Sequence, residues 1–145
     1  MASRKEISCK TILVGEMGVG KTSIIERFTK NVFKKYVTST TSGTYDSATL
    51  EIGDYSLELQ LWDTAGQERF RTLTKMFLKE ADIVLLVYDT TRKNTFDEIK
   101  DYWYNTVKEN NSDKLSKFFK FKIIFFLFKL LELLGINVIN LKKNK

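Results

Sequence analysis

The chain has 145 residues, a net charge of +6, 43% hydrophobic and 29% charged residues, the composition of one folded domain and not of a disordered chain. It holds one cysteine, Cys9, no histidine and no proline, which excludes an internal disulfide, multi-thiol zinc centres, histidine-based catalysis and any cis-proline turn. The charge is uneven, because residues 1–113 carry 16 Lys/Arg against 17 Asp/Glu while residues 114–145 carry eight Lys and only Glu132, so the basic pI gives no ground for expecting nucleic acid as a partner.

Ile7–Val14 alternates, turns apolar and stops at Gly15, which reads as a strand running into a glycine turn. Ile24, Ile25 and Phe28 stand at helical spacing, so Thr22–Lys30 is expected to be helical, starting near Gly20. Phe33–Gly43, rich in Ser, Thr and Lys, reads as an exposed loop. Thr44–Ile52 and Ser56–Trp62 alternate on either side of Gly53-Asp54, a hairpin signal. Asp63–Gly66 is a turn, and Glu68–Glu80 has helical character. Asp82–Tyr88 is almost wholly apolar, as expected for a strand covered on both faces. In Thr95–Glu109 the residues Phe96, Ile99, Trp103 and Val107 form a stripe expected to face inward. Strands alternating with helices argue an α/β domain with a mainly parallel sheet and helices on both faces.

The composition changes after residue 113. Lys114–Lys145 holds six of the eleven phenylalanines and eight lysines. The plain reading is a buried strand plus helix, with Leu115–Phe128 a candidate strand. A membrane-surface helix would need a broader polar face. The start has no apolar region long enough for a signal peptide, Ala2 excludes N-myristoylation, and no apolar run approaches the roughly 20 residues needed to span a bilayer. The final residues contain no cysteine, so no C-terminal prenylation site is expected. A cytosolic, reducing location fits this pattern.

Gly15-Glu-Met-Gly-Val-Gly-Lys-Thr22 matches the phosphate-loop pattern G-x-x-x-x-G-K-[ST] at each fixed position. Glycines let the backbone coil so that successive N–H groups point at phosphate oxygens. Lys21 supplies a compact positive charge, Thr22 a hydroxyl for Mg²⁺, and the following helix its positive dipole end. A strand before the loop and a helix after it are the context this chemistry needs. The fold expected is therefore of the P-loop NTPase type. Asp63 ends an apolar strand, where a second carboxylate can serve the metal. Gly66 can bring a backbone N–H to a γ-phosphate, and Gln67 can both donate to and accept from an attacking water.

With Leu61-Trp-Asp-Thr-Ala-Gly-Gln-Glu-Arg-Phe70 the sequence resembles the Ras-like small GTPases, most closely the Rab branch. Val87-Tyr-Asp-Thr-Thr91 and Asn94-Thr-Phe96 resemble the family's fourth strand and the start of the next helix, and the likeness covers about Lys10 to Asn110. The resemblance implies that Gly15, Gly18, Val19, Gly20, Lys21, Thr22 and Ser23 hold the phosphates of GTP or GDP. It implies that Thr22, Thr40 and Asp63 serve Mg²⁺, with Thr41 the alternative to Thr40. It further implies that Gly66 contacts the γ-phosphate, that Gln67 orients the hydrolytic water, and that Phe33 packs on the guanine. Exchange factors, GTPase-activating proteins and effectors would bind through residues 36–45 and 63–75, in vesicle and protein transport, with the chain cytoplasmic or peripheral to endomembranes.

Three departures bear on these expectations. Met17 occupies a loop position where the family is usually small, and Thr40-Thr-Ser-Gly-Thr-Tyr45 differs from the family's T-I-G-x-[DE]-[FY]. No N-K-x-D or S-A-K segment occurs before Lys145. The domain is therefore expected over residues 1–113, ending after the third helix, with 114–145 as a divergent segment. The alternative function is a Rab-like interaction protein that binds nucleotide poorly and does not hydrolyse it.

Overall fold

A computed structural model describes residues 4–34 and 36–110. Residues 114–145, including the candidate strand Leu115–Phe128, lie outside the described residues. The elements run β1 (Lys5–Val14), α1 (Lys21–Lys30), β2 (Thr44–Ile52), β3 (Tyr55–Asp63), a 3₁₀ turn (Glu68–Phe70), α2 (Arg71–Leu78), β4 (Ile83–Leu86), α3 (Lys93–Glu98), a π-turn (Ile99–Trp103) and α4 (Tyr104–Asn110). The strands form one sheet in the order β2-β3-β1-β4. The β2–β3 hairpin is antiparallel and turns at Gly53-Asp54, whereas β1 pairs in parallel with both β3 and β4. The sheet is mainly parallel, as expected.

Alternate residues of β1 feed two cores. Ile12 and Val14 pack with Leu78, Val84, Ile99, Trp103 and Val107 under α2, α3 and α4. Leu13 packs with Ile25, Leu59, Leu61 and Leu85 under α1. Ile12, Leu13 and Val14 are all fully buried, and each contributes about 1.5–3 kcal/mol through the apolar surface removed from water. In β4, Val84 belongs to one core and Leu85 to the other, which explains the nearly unbroken apolar run there.

One expectation needs correction. Phe96 is 45% exposed and packs edge-on against Tyr88 instead of facing the core. The inward stripe is Thr95, Ile99, Trp103 and Val107, all buried and every fourth residue. An ideal α-helix would swing such a stripe by about 40° per step. The wider π-turn at Ile99–Trp103 takes up that drift, and Phe96 falls outside the stripe. The segment Glu68–Glu80 has the helical character expected, in two pieces. A 3₁₀ turn precedes α2, which ends at Leu78 where Lys79 turns extended, and Glu80 follows at φ 61°. Among the described residues no helix is long and apolar enough to cross a membrane.

The register positions the site. Leu13 lies opposite Asp63 across the parallel β1–β3 pair, so the last residue of β3 is level with the loop that leaves β1. Thr64 locks this arrangement by donating its buried hydroxyl to Leu13 O at 2.6 Å.

Candidate functional site

The loop between β1 and α1 wraps around the ammonium of Lys21. Gly20 has φ 98° at the head of α1, a left-handed turn that a residue with a Cβ resists. Lys21 is 5% exposed, and its Nζ donates to Gly15 O and Glu16 O, both at 2.9 Å. Burial lowers the Lys21 pKa to about 8, opposed by the charges of Asp63 and Glu16. A cation held this way is short of negative charge, which a polyphosphate supplies.

Three side chains remote in sequence meet beside it. Thr22 Oγ1 donates to Asp63 Oδ2 at 2.6 Å, and Thr40 Oγ1 donates to the same oxygen at 3.1 Å. The two hydroxyls are 2.9 Å apart. Of Thr40 and Thr41, it is Thr40 whose hydroxyl reaches Asp63. Asp63 is 2% exposed, and its other oxygen, Oδ1, is buried without a hydrogen-bond partner. A buried carboxylate oxygen lacking a donor is suited to a cation. One carboxylate and two hydroxyls form a hard-oxygen donor set, which suits Mg²⁺ keeping several waters and does not suit zinc or copper. The residues present therefore fit the metal.

A cavity of about 220 Å³ opens between the loop and residues 33–40. Gly18, Gly20, Lys21, Thr22, Ser23, Phe33, Thr40 and Gly66 all line it. Phe33 stands at its edge, 70% exposed. Asp63 lines the adjoining cavity of about 560 Å³ together with Thr22 and Thr40. Three expected site residues line neither. Gly15 sits against Val87 O, and Val19 is half-buried beside it. Gln67 turns to the loop, donating from Nε2 to Met17 Sδ at 3.2 Å and accepting from Arg69 Nε at 2.7 Å.

Sequence reasoning passed over three residues around this site. Thr64 lines the cavity from the turn after β3, Arg92 donates to Met17 O at 3.3 Å, and Asn94 donates to Glu16 Oε2 at 2.9 Å. The last two lie more than 70 positions from their partners in the chain, so no local pattern signals them.

The Ras family pattern matches residues 10–121, most of the chain. The chain belongs to the Ras family. Its likeness falls on the Rab small GTPases. It is 38% identical over 117 residues to Ras-related protein Rab-8B of Homo sapiens and to Ras-related protein Rab-8A of Mus musculus. In each case the alignment covers 81% of this chain and 56% of the relative, so the chain spans little more than half the length of the curated relatives it matches. The family match also runs beyond the composition change at residue 114. Ras family proteins generally bind guanine nucleotide and Mg²⁺, and the donor set described above is consistent with that.

Proposed function

We propose that the domain of residues 1–113 binds GTP or GDP with Mg²⁺ and acts as a Rab-like switch that hydrolyses GTP slowly. The supporting observation is the convergence of Lys21, Thr22, Thr40 and the unpartnered Asp63 Oδ1 on one site. The N–H groups of Gly18, Val19, Gly20 and Lys21, with the Lys21 ammonium and Ser23, hold the phosphates. Thr22, Thr40 and Asp63 would hold the Mg²⁺, which would supply positive charge to neutralise the phosphates. The Gly66 N–H faces the γ-phosphate. Gln67 orients a water whose oxygen attacks the γ-phosphorus as the bond to the β–γ bridging oxygen breaks, giving GDP and inorganic phosphate. For this the Gln67 amide must leave Met17.

Because Thr40 belongs to the loop before β2, loss of the γ-phosphate and metal would release residues 36–43. Exchange factors, GTPase-activating proteins and effectors then read this loop and residues 63–75, in vesicle and protein transport at endomembranes. Beside these segments Tyr45, Trp62 and Phe77 form a run of ring contacts, with centroids 5.5 and 5.2 Å apart. Tyr45 is 52% exposed, and such an aromatic surface suits protein partners.

The test is titration of fluorescent GTP into the 145-residue chain with and without Mg²⁺. Saturable, Mg²⁺-dependent binding that Lys21→Ala abolishes is expected. Binding indifferent to both would refute the reading. A second reading, a switch-like protein that binds but does not hydrolyse, is favoured by the engagement of both ends of the Gln67 amide. A single-turnover rate equal to that of Gln67→Leu would select it.

A further inference from the structure

The segment that leaves β4 grips the phosphate loop from outside. Asp89 anchors it. Its carboxylate accepts from Thr91 N at 2.9 Å, from Thr91 Oγ1 at 2.7 Å and from Arg92 Nε at 3.0 Å. Thr95, fully buried, closes the turn by accepting from Asp89 N at 2.9 Å and donating to Arg92 O at 2.8 Å. The Arg92 guanidinium is thus fixed at one end, and its other end reaches the loop. Nη2 donates to Met17 O at 3.3 Å and lies 3.6 Å from the place a Cβ on Gly18 would take. Asn94, two residues on, holds the neighbouring Glu16 carboxylate.

The peptide unit that Arg92 holds is the one that matters. Met17 C=O and Gly18 N–H belong to the same planar trans peptide, so they point in opposite directions. A donor that keeps Met17 O turned outward keeps Gly18 N–H turned inward, and Gly18 lines the cavity. Glycines at 15, 18 and 20 leave the loop free to coil otherwise, so an external constraint has work to perform.

We propose that Arg92, clamped by Asp89, is a positioning residue of the phosphate loop that orients the Gly18 N–H toward a bound polyphosphate. The inference rests on the phosphate-binding reading of the loop. The guanidinium bridges two acceptors on different segments in a fixed planar geometry, which the single ammonium of lysine does not reproduce. The positive charge behind the peptide also strengthens the inward N–H as a donor.

The experiment compares wild type, Arg92→Ala, Arg92→Lys and Asp89→Asn in affinity for Mg²⁺–GTP and in the amide resonance of Gly18. In wild type the Gly18 proton is expected to move downfield on binding, as a donor to phosphate does. Arg92→Ala should bind about tenfold more weakly, the loss of one charge-assisted hydrogen bond, with the Gly18 shift reduced. Arg92→Lys should stay weakened, and Asp89→Asn should show a smaller loss in the same direction. Should Arg92→Ala not fold, Arg92→Lys and Asp89→Asn carry the test. Wild-type affinity with an unchanged Gly18 shift in the variants overturns the proposal, and full rescue by lysine does so too, because charge alone would then explain the effect. If wild type itself binds no Mg²⁺–GTP, it is the phosphate-loop reading that fails.

Discussion

Gln67 donates its amide to the Met17 sulfur at 3.2 Å, so the side chain expected to orient water is held on the phosphate loop by a residue 50 positions earlier. A thioether is a weak acceptor, and the contact is a modest restraint. Met17→Gly should speed single-turnover GTP hydrolysis about fivefold, the equivalent of roughly 1 kcal/mol. Gln67→Leu should slow it while leaving GTP affinity unchanged, since only water positioning is lost. Stopped single-turnover assays on both variants check this, and a Met17→Gly rate equal to wild type would refute the restraint.

The shared oxygen of Asp63 predicts a graded series in metal dependence. Thr22→Asn and Asp63→Asn should each lower Mg²⁺-supported nucleotide affinity on the order of 10–100-fold, in the range seen when metal-site groups are altered. Thr40→Ala should cost less, because its hydroxyl lies farther from Asp63 than that of Thr22. Removal of Mg²⁺ by a chelator should weaken wild type and leave Asp63→Asn nearly unaffected. Titration calorimetry with and without chelator measures all four.

Lys21 makes the nucleotide-free chain sensitive to pH. Unfolded, its ammonium titrates at 10.5, and folded, at about 8. Between these values the unfolded state binds more protons, so stability rises with pH across that window. Below about pH 8 the folded state carries the full cost of the buried charge, roughly 3 kcal/mol. Denaturant unfolding of the nucleotide-free chain from pH 7 to 10 should show this rise, and Lys21→Met should lack it. Equal slopes in the two proteins would rule it out.

Gly66 allows the turn after β3 to touch the phosphate loop. A Cβ there would lie 2.4 Å from Met17 N and 2.5 Å from Glu16 C, both backbone atoms. Gly66→Ala must therefore push the two loops apart. It should lower stability by about 1–3 kcal/mol, as overpacking does, and reduce preference for GTP over GDP. Thermal melts and competition binding test both parts, and an unchanged GTP-to-GDP ratio would show that this contact does not serve the γ-phosphate.

Much of the fold was legible because its signals are local. The pattern Gly15–Thr22 is readable because its glycines, Lys21 and Thr22 stand within eight consecutive positions on one coiled stretch of backbone. The hairpin is written in the Gly53-Asp54 turn between alternating runs, and β4 in an apolar stretch that two cores require. The sequence also determined which residue types could serve the metal, and it excluded histidine and multi-thiol chemistry outright.

Tertiary structure decided the rest, because those relationships join residues far apart in the chain. Asp63 meets Thr22 across 41 positions and Thr40 across 23; the β1–β3 register sets Asp63 level with the loop that leaves β1, and the β2–β3 pairing of Thr44 with Asp63 brings the Thr40 loop to it. The inward face of the third helical stretch follows the π-turn at Ile99–Trp103, and Thr95, not Phe96, lies in the core. Nothing in the local sequence marks Arg92 or Asn94 as partners of the phosphate loop, yet the path of the chain after β4 sets them on it. Periodicity reports which side of an element is apolar. It cannot report which distant polar group a side chain will meet, because that follows from how the elements pack.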